Sequence, residues 1–203
     1  MKENGGNEIG DGKKKILPQR LIAAFREQRV HNRSMDSMSE QARSQLMGRI
    51  RGKDTKPEFF VRKLLHAAGY RYWLHGRIPR RTLETLKREN PAALLRGGKL
   101  PGTPDIVFAS RRKAVFINGC FWHLHDCPAG QHAPATNRQF WADKRNRTRE
   151  RDQENAAALH ALGWKTIVLW ECELRDPKAV LAVLVDFLGP PSAVERATGS
   201  KGA

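Results

Sequence analysis

A helical stretch at about residues 138–162, stopped by Gly163, lies between two short apolar runs at 114–117 and 166–170. This arrangement constrains the fold more than any other feature of the chain. A crossover of that length lets its flanking strands pair in parallel, where a tight turn would force them antiparallel. A third run, at 105–108, has the same β-branched and aromatic character and the same polar boundaries, so all three read as buried strands. Thr55 followed by Glu58 fits a capping box with Pro57 in the first turn. Phe60, Val61, Leu64, Leu65 and Ala68 then make an apolar stripe that ends at Gly69. Another helix is expected at about 39–50, capped by Ser39 and ended near Gly52, and 70–74 is a candidate strand. A last helix opens at Asp176 and Pro177 and carries Val180, Leu181, Leu184 and Leu188 before Gly189. The expected fold is α/β (α+β), one mixed central sheet flanked by helices.

One domain at about 35–189 accounts for these elements. Residues 1–34 are rich in Gly, Lys and Arg and read as a disordered basic tail, 190–203 as a second tail, and Met35 as a candidate natural start. Residues 77–100 are polar and basic with Pro79, Pro91 and paired glycines. They read as an inserted loop with a short helix around 83–88.

The 37 Lys and Arg residues against 21 Asp and Glu give a formal charge of +16. That excess points to a polyanionic partner, most simply a nucleic-acid backbone, whose condensed counterions are released when cations bind it. No run reaches the roughly 18 to 20 apolar residues of a membrane span, and the N-terminus lacks an apolar signal core. The expectation is a soluble, intracellular protein. Its three cysteines have no disulfide-framework spacing, so metal binding outranks disulfides.

Three of four candidate zinc ligands, Cys120, His125 and Cys127, fall within eight residues, and Cys172 is the remaining thiol. Three thiolates and one imidazole form a closed tetrahedral set of structural type, with Asp126 and His132 as rival ligands. Asp105 follows Pro101, Gly102, Thr103 and Pro104 and opens a strand. Its carboxylate is therefore a candidate ligand for Mg²⁺, which takes hard oxygen donors and keeps several waters. His123 stands two residues before His125, so one imidazole can ligate while the other moves a proton near neutral pH. Phe121 and Trp122 are adjacent large aromatics between the zinc ligands, and at least one is expected to be exposed. With Trp141 they could stack on or wedge between bases. Lys144, Arg145, Arg147, Arg149 and Arg151 are expected around a solvated helix facing phosphates. Asp152, eleven residues beyond Trp141, should project from the same side.

The motifs LPGTPDIVF, FINGCFWHLHDC, FW, ERD and GWKTIVLWECEL, spread over 35–174, resemble those of the very-short-patch repair endonucleases, the T:G mismatch endonucleases of bacteria. The resemblance implies a restriction-endonuclease-like fold and a nick 5′ of the thymine in a T:G mismatch left by deamination of 5-methylcytosine. It implies Mg²⁺ on Asp105 and the Ile117 carbonyl, His123 as the catalytic histidine, and Glu58 and Asp152 as supporting acids. It further implies structural Zn²⁺ on Cys120, His125, Cys127 and Cys172, an aromatic wedge of Phe121, Trp122 and Trp141, and DNA contacts from Met47 and Ile50. Where the best-known member has a histidine before Gly-Cys-Phe-Trp, this chain has Asn118, which only donates or accepts hydrogen bonds. The implied partners are double-stranded DNA with a T:G mismatch and mismatch-repair proteins. The implied setting is a cytoplasmic, nucleoid-associated monomer. The alternatives are a restriction-like nuclease of other specificity and a zinc-stabilised DNA-binding module without catalysis.

Overall fold

The computed structural model describes residues 52–90 and 96–191. The expected helix at 39–50, Met47, Ile50, residues 1–34 and all but the first two residues of 190–203 lie outside them. Four strands, β1 (Trp73–Leu74), β2 (Ile106–Phe108), β3 (Lys113–Asn118) and β4 (Lys165–Trp170), form one sheet in the order β1-β2-β3-β4. The first two pairings are antiparallel. The third, Lys113↔Lys165 through Asn118↔Trp170, is parallel, as the long crossover requires. Of the candidate strand at 70–74 only the last two residues pair. Tyr70 instead turns inward, its ring edge-on to Phe108 at 5.9 Å and its hydroxyl donating to the Gly189 carbonyl at 2.5 Å.

The helices are α1 (Lys56–Ala67), α2 (Arg80–Glu89), the single turn α3 (Pro128–Gln131), α4 (Arg138–Ala161) and α5 (Pro177–Leu188). Alternate strand residues serve opposite faces of the sheet, because side chains in a strand point up and down in turn. Ile106, Phe108, Val115 and Leu169 meet Phe60, Val61, Leu64 and Leu65 of α1 and Val180, Leu184 and Leu188 of α5. Val107 and Ala114 meet Leu159 and Leu162 at the end of α4, Trp164, and Leu86 of α2. The result is a three-layer α/β/α arrangement with a core on each side of an open sheet.

Residues 77–100 are more than a loop. Their helix runs from Arg80 to Glu89, Leu86 is fully buried, and Ile78 and Leu100 join the same core. Charged residues dominate the segment, but three well-spaced apolar side chains suffice to bury one side of it. Leu86→Ala should therefore cost about 3 kcal/mol, read as a fall of about 9 °C in Tm. A melting curve within 1 °C of wild type would mean that α2 does not close this core.

Every strand except β1 ends or begins near one edge of the sheet with a residue singled out above. Asp105 precedes β2, Asn118 ends β3 and Cys172 follows β4. The tops of three strands thus converge on one rim.

Candidate active site and metal centre

Asp105 is held at the rim from two directions. Its Oδ2 accepts the Ile117 amide at 2.7 Å, and its own carbonyl accepts the His75 amide at 3.2 Å. The preceding turn carries Gly102 and Thr103 in left-handed conformation and is locked against Gly76. A Cβ on Gly76 would lie 2.9 Å from the Thr103 Cα, so only glycine fits. Burial pushes the Asp105 carboxyl up to about 7. The Ile117 amide pulls the other way and the nearby Glu58 charge adds to the rise. A half-buried carboxylate near a second acid is under-compensated, which is the environment a hard divalent cation relieves. The donor set therefore fits Mg²⁺.

Glu58 is nearly inaccessible and does what the capping-box spacing predicts: its carboxylate accepts from the Thr55 amide at 3.3 Å and the Thr55 hydroxyl at 2.8 Å. It also accepts from the Asp54 amide at 3.0 Å and from Arg62 at 2.6 Å. Arg62, one turn further along α1, bridges Glu58 and Asp54, and His75 Nε2 lies 3.2 Å from Asp54. The Arg62 guanidinium holds the Asp54 carboxyl below the usual carboxylate range. Asp54, Glu58 and His75 lie close enough to share a cation, but the guanidinium already pairs with both carboxylates. This is an ion-pair network that positions Glu58 beside Asp105. The sequence reading missed Arg62, Asp54 and His75. The i,i+4 spacing of Glu58 and Arg62 was the available signal.

The four proposed thiol and imidazole ligands come together. One donor atom from each of Cys120, His125, Cys127 and Cys172 lies within 4.8 Å of all the others, and Cys172 Sγ is 3.3 Å from His125 Nδ1. A tetrahedral zinc with bonds of about 2.3 Å to sulfur has edges of about 3.8 Å, so the spacing and the chemistry of the donors fit that ion. Asp126 and His132, the rival ligands, are not in this cluster. His125 stacks on Trp170 at 4.2 Å with the rings nearly parallel, which fixes its ring. Burial raises the Cys120 thiol, whereas the Gly130 amide, donating to Cys127 Sγ at 3.4 Å, lowers that of Cys127. Gly130 packs so tightly on the His125 backbone that any side chain there would collide with the His125 carbonyl.

Within the same loop, His123 Nδ1 lies 2.5 Å from Asp152 Oδ2 of α4. Trp141 and Asp152 thus both face the 119–127 loop, as their eleven-residue spacing predicts. Asn118 is buried at the end of β3 opposite Trp170.

Two expectations need correction. Phe121 and Trp122 are both half-buried, neither of them fully exposed: they pack edge-on at 5.1 Å and both meet Trp141, at 5.7 and 5.8 Å. Each ring covers the others, and the exposed aromatic is Phe140, beside Trp141 at 5.3 Å. Nor is Arg145 solvated with its neighbours. It is buried over the Phe121 ring at 4.7 Å and donates to the carbonyls of Gly130 and His132. Lys144 lies over Trp122, Phe140 and Trp141 at 5.4 to 5.7 Å, a cation held above an aromatic cluster.

The family model described as DNA mismatch endonuclease Vsr matches residues 35–81 and 94–129. The type II nicking enzyme V.XorIIP of Xanthomonas oryzae pv. oryzae is 43% identical over 155 residues, covering 76% of this chain and 98% of that protein. The chain belongs to the Vsr family of DNA endonucleases. The type II nicking enzyme V.NmeAIP of Neisseria meningitidis serogroup A is 38% identical over 70% of this chain and 85% of its own length. The DNA mismatch endonuclease Vsr of Escherichia coli is 38% identical over 48% of this chain and 62% of its own length. As a Vsr-family endonuclease the chain acts on DNA, and among its described residues no helix is long and apolar enough to cross a membrane. The family model leaves residues 82–93 unmatched, which takes in most of α2.

Proposed function

We propose that this Vsr-family endonuclease nicks one strand of duplex DNA 5′ of the thymine in a T:G mismatch. In this reading Mg²⁺ is held at Asp105 and the Ile117 carbonyl, and structural Zn²⁺ at Cys120, His125, Cys127 and Cys172. The observation that carries it is the 2.5 Å contact between His123 and Asp152 within the loop that also presents Phe121 and Trp122. A divalent cation at Asp105 supplies Lewis-acid charge to the phosphate oxygens. Water attacks phosphorus, the bond to the leaving sugar oxygen breaks, and protons must leave the first and reach the second.

His123 is the group for that transfer. With Nδ1–H donated to Asp152, its Nε2 is left to take a proton from water or return one to the leaving oxygen. Asn118 stays outside proton transfer and acts only as a hydrogen-bonding group, so the chemistry runs on one histidine. Glu58, fixed by Arg62, supports the acidic environment of Asp105. Asp152→Asn, which removes the charge that orients the imidazole, should lower kcat about 10²-fold or more with little change in KM for DNA. An unchanged kcat would remove Asp152 from the mechanism.

Phe121, Trp122 and Trp141 pack edge-on into a half-exposed apolar prow, with Phe140 outermost and Lys144 above it. Such a wedge unstacks a weak pair at lower cost than a Watson–Crick pair, which is the physical basis for preferring a mismatch. The restriction-endonuclease-like architecture fits an open mixed sheet with its acids at one rim. The deciding experiment compares nicking of duplexes carrying T:G, T:A or C:G at one position, with Mg²⁺ or with chelator. Cutting of T:G alone, abolished by chelator, supports the reading; equal cutting of all three removes mismatch specificity.

A further inference from the structure

The segment between β1 and β2 is unlike anything the proposed reaction needs. Residues 77–100 hold seven Lys and Arg against two Glu, and both Glu are already paired: Glu84 with Arg80 at 2.8 Å and Glu89 with Arg112 at 2.8 Å. Arg81, Lys87 and Arg88 are exposed and make no ion pair among the described residues. Arg81 and Arg88 are seven residues apart, two helical turns, and so lie along one line of α2, on the side away from buried Leu86.

The base of the segment carries a second signal. Arg77 and Lys99 face each other across an isolated antiparallel bridge, closed by the Leu100 amide on the Gly76 carbonyl at 2.9 Å. Like charges directly opposite each other are unfavourable unless an anion lies between or beside them. This base is joined to the catalytic rim. The Gly76 amide bonds the Pro104 carbonyl at 2.7 Å and the His75 amide bonds that of Asp105 at 3.2 Å. A surface of cations without ion pairs among the described residues thus starts beside the catalytic acid and continues along a helix anchored in the core.

We propose that this segment is a DNA-backbone arm, in which Arg77 and Lys99 at the base and Arg81, Lys87 and Arg88 on α2 bind phosphates of the duplex flanking the nicking site. The partner class follows from charge complementarity: a regular polyanion neutralises a line of cations, whereas the helix offers no exposed apolar surface for a protein partner. Contacts of this kind position the protein without reading sequence, so the arm strengthens binding to matched and mismatched DNA alike. It lengthens the footprint on one side only.

The test is equilibrium binding of the full chain to matched and T:G duplexes over a salt series, with Mg²⁺ left out so that no strand is cut. R81Q/K87Q/R88Q keeps good helix formers at exposed positions. It should weaken both duplexes by the same factor, about tenfold at physiological salt, and make the slope of log K against log salt shallower by about 2 to 3. Its kcat at saturating DNA should equal that of wild type. Hydroxyl-radical footprinting should lose protection at one end. Equal affinity and slope in the variant overturn the proposal, as does a loss confined to T:G DNA, which would implicate mismatch sensing. Lys99→Gln guards against a folding artefact. Relief of the like-charge pair should leave Tm equal or higher while binding weakens two- to threefold, about one phosphate contact's worth. A lower Tm with unchanged binding would overturn the role of the base.

Discussion

Replacing Asp105 with Asn should lower the rate of DNA nicking about 10³-fold or more, because it removes the charge that would hold the catalytic cation while keeping the side chain's shape. A bound metal supplies several kcal/mol of charge stabilisation at a phosphoryl centre, and each 1.4 kcal/mol is a factor of ten in rate. The substitution should spare the fold. The Asn oxygen can still accept the Ile117 amide, and a neutral group at this half-buried position no longer faces the Glu58 charge. The metal-free variant should therefore melt at or above the wild-type temperature, while the Mg²⁺-dependent rise in Tm disappears. Single-turnover nicking together with melting curves with and without Mg²⁺ checks both halves. Nicking that survives at wild-type rate would place the catalytic carboxylate elsewhere. A collapse in Tm would mean that Asp105 is mainly a structural clamp between β2 and β3.

Losing one ligand of the thiol and imidazole cluster should have the largest effect on stability. Cys172 follows β4, while Cys120, His125 and Cys127 belong to the loop after β3, so a bound ion ties two segments about 50 residues apart. That loop also holds His123 against Asp152 and Phe121 against Trp141. Cys172→Ser should release most of the bound zinc, cost several kcal/mol and lower Tm by about 10 °C. Activity should fall with it, because the imidazole and the aromatic cluster lose their common support. Elemental analysis of the purified protein, with melting curves in chelator, reads this directly. Wild-type protein without zinc, or a variant with unchanged metal content and Tm, would show that the cluster is three reduced thiols beside a histidine and nothing more.

Much of the fold was legible because its signals are local. The parallel pairing of β3 with β4 followed from the length of α4, and the expected capping box of Thr55 and Glu58 is made. The candidate metal donors were legible for a different reason: the chain has only three thiols, and two of them stand with His125 within eight residues, which left few other sets. The spatial cluster bears out that grouping but leaves the ion's identity to experiment.

The remaining features were decided where distant segments meet. Arg145 sits in a run of cations indistinguishable by sequence, and it alone is buried because the carbonyls of Gly130 and His132 and the face of Phe121 replace its water. At least one of Phe121 and Trp122 was expected to be exposed, yet Trp141, twenty residues on, packs against both and leaves each half-buried. Arg62 is half legible, since Glu58 lies one turn before it, but its second partner Asp54 and its closeness to Asp105 depend on how α1 docks against the sheet. Residues 77–100 looked like a loop because charge dominates their composition, and tertiary packing around Leu86 made part of them a core element. Sequence alone determined which elements form and which chemical groups are available, because propensity, capping and periodicity act within a few residues. Only the tertiary structure decided which charges lose water and which rings stay covered, because desolvation depends on every atom that surrounds a group.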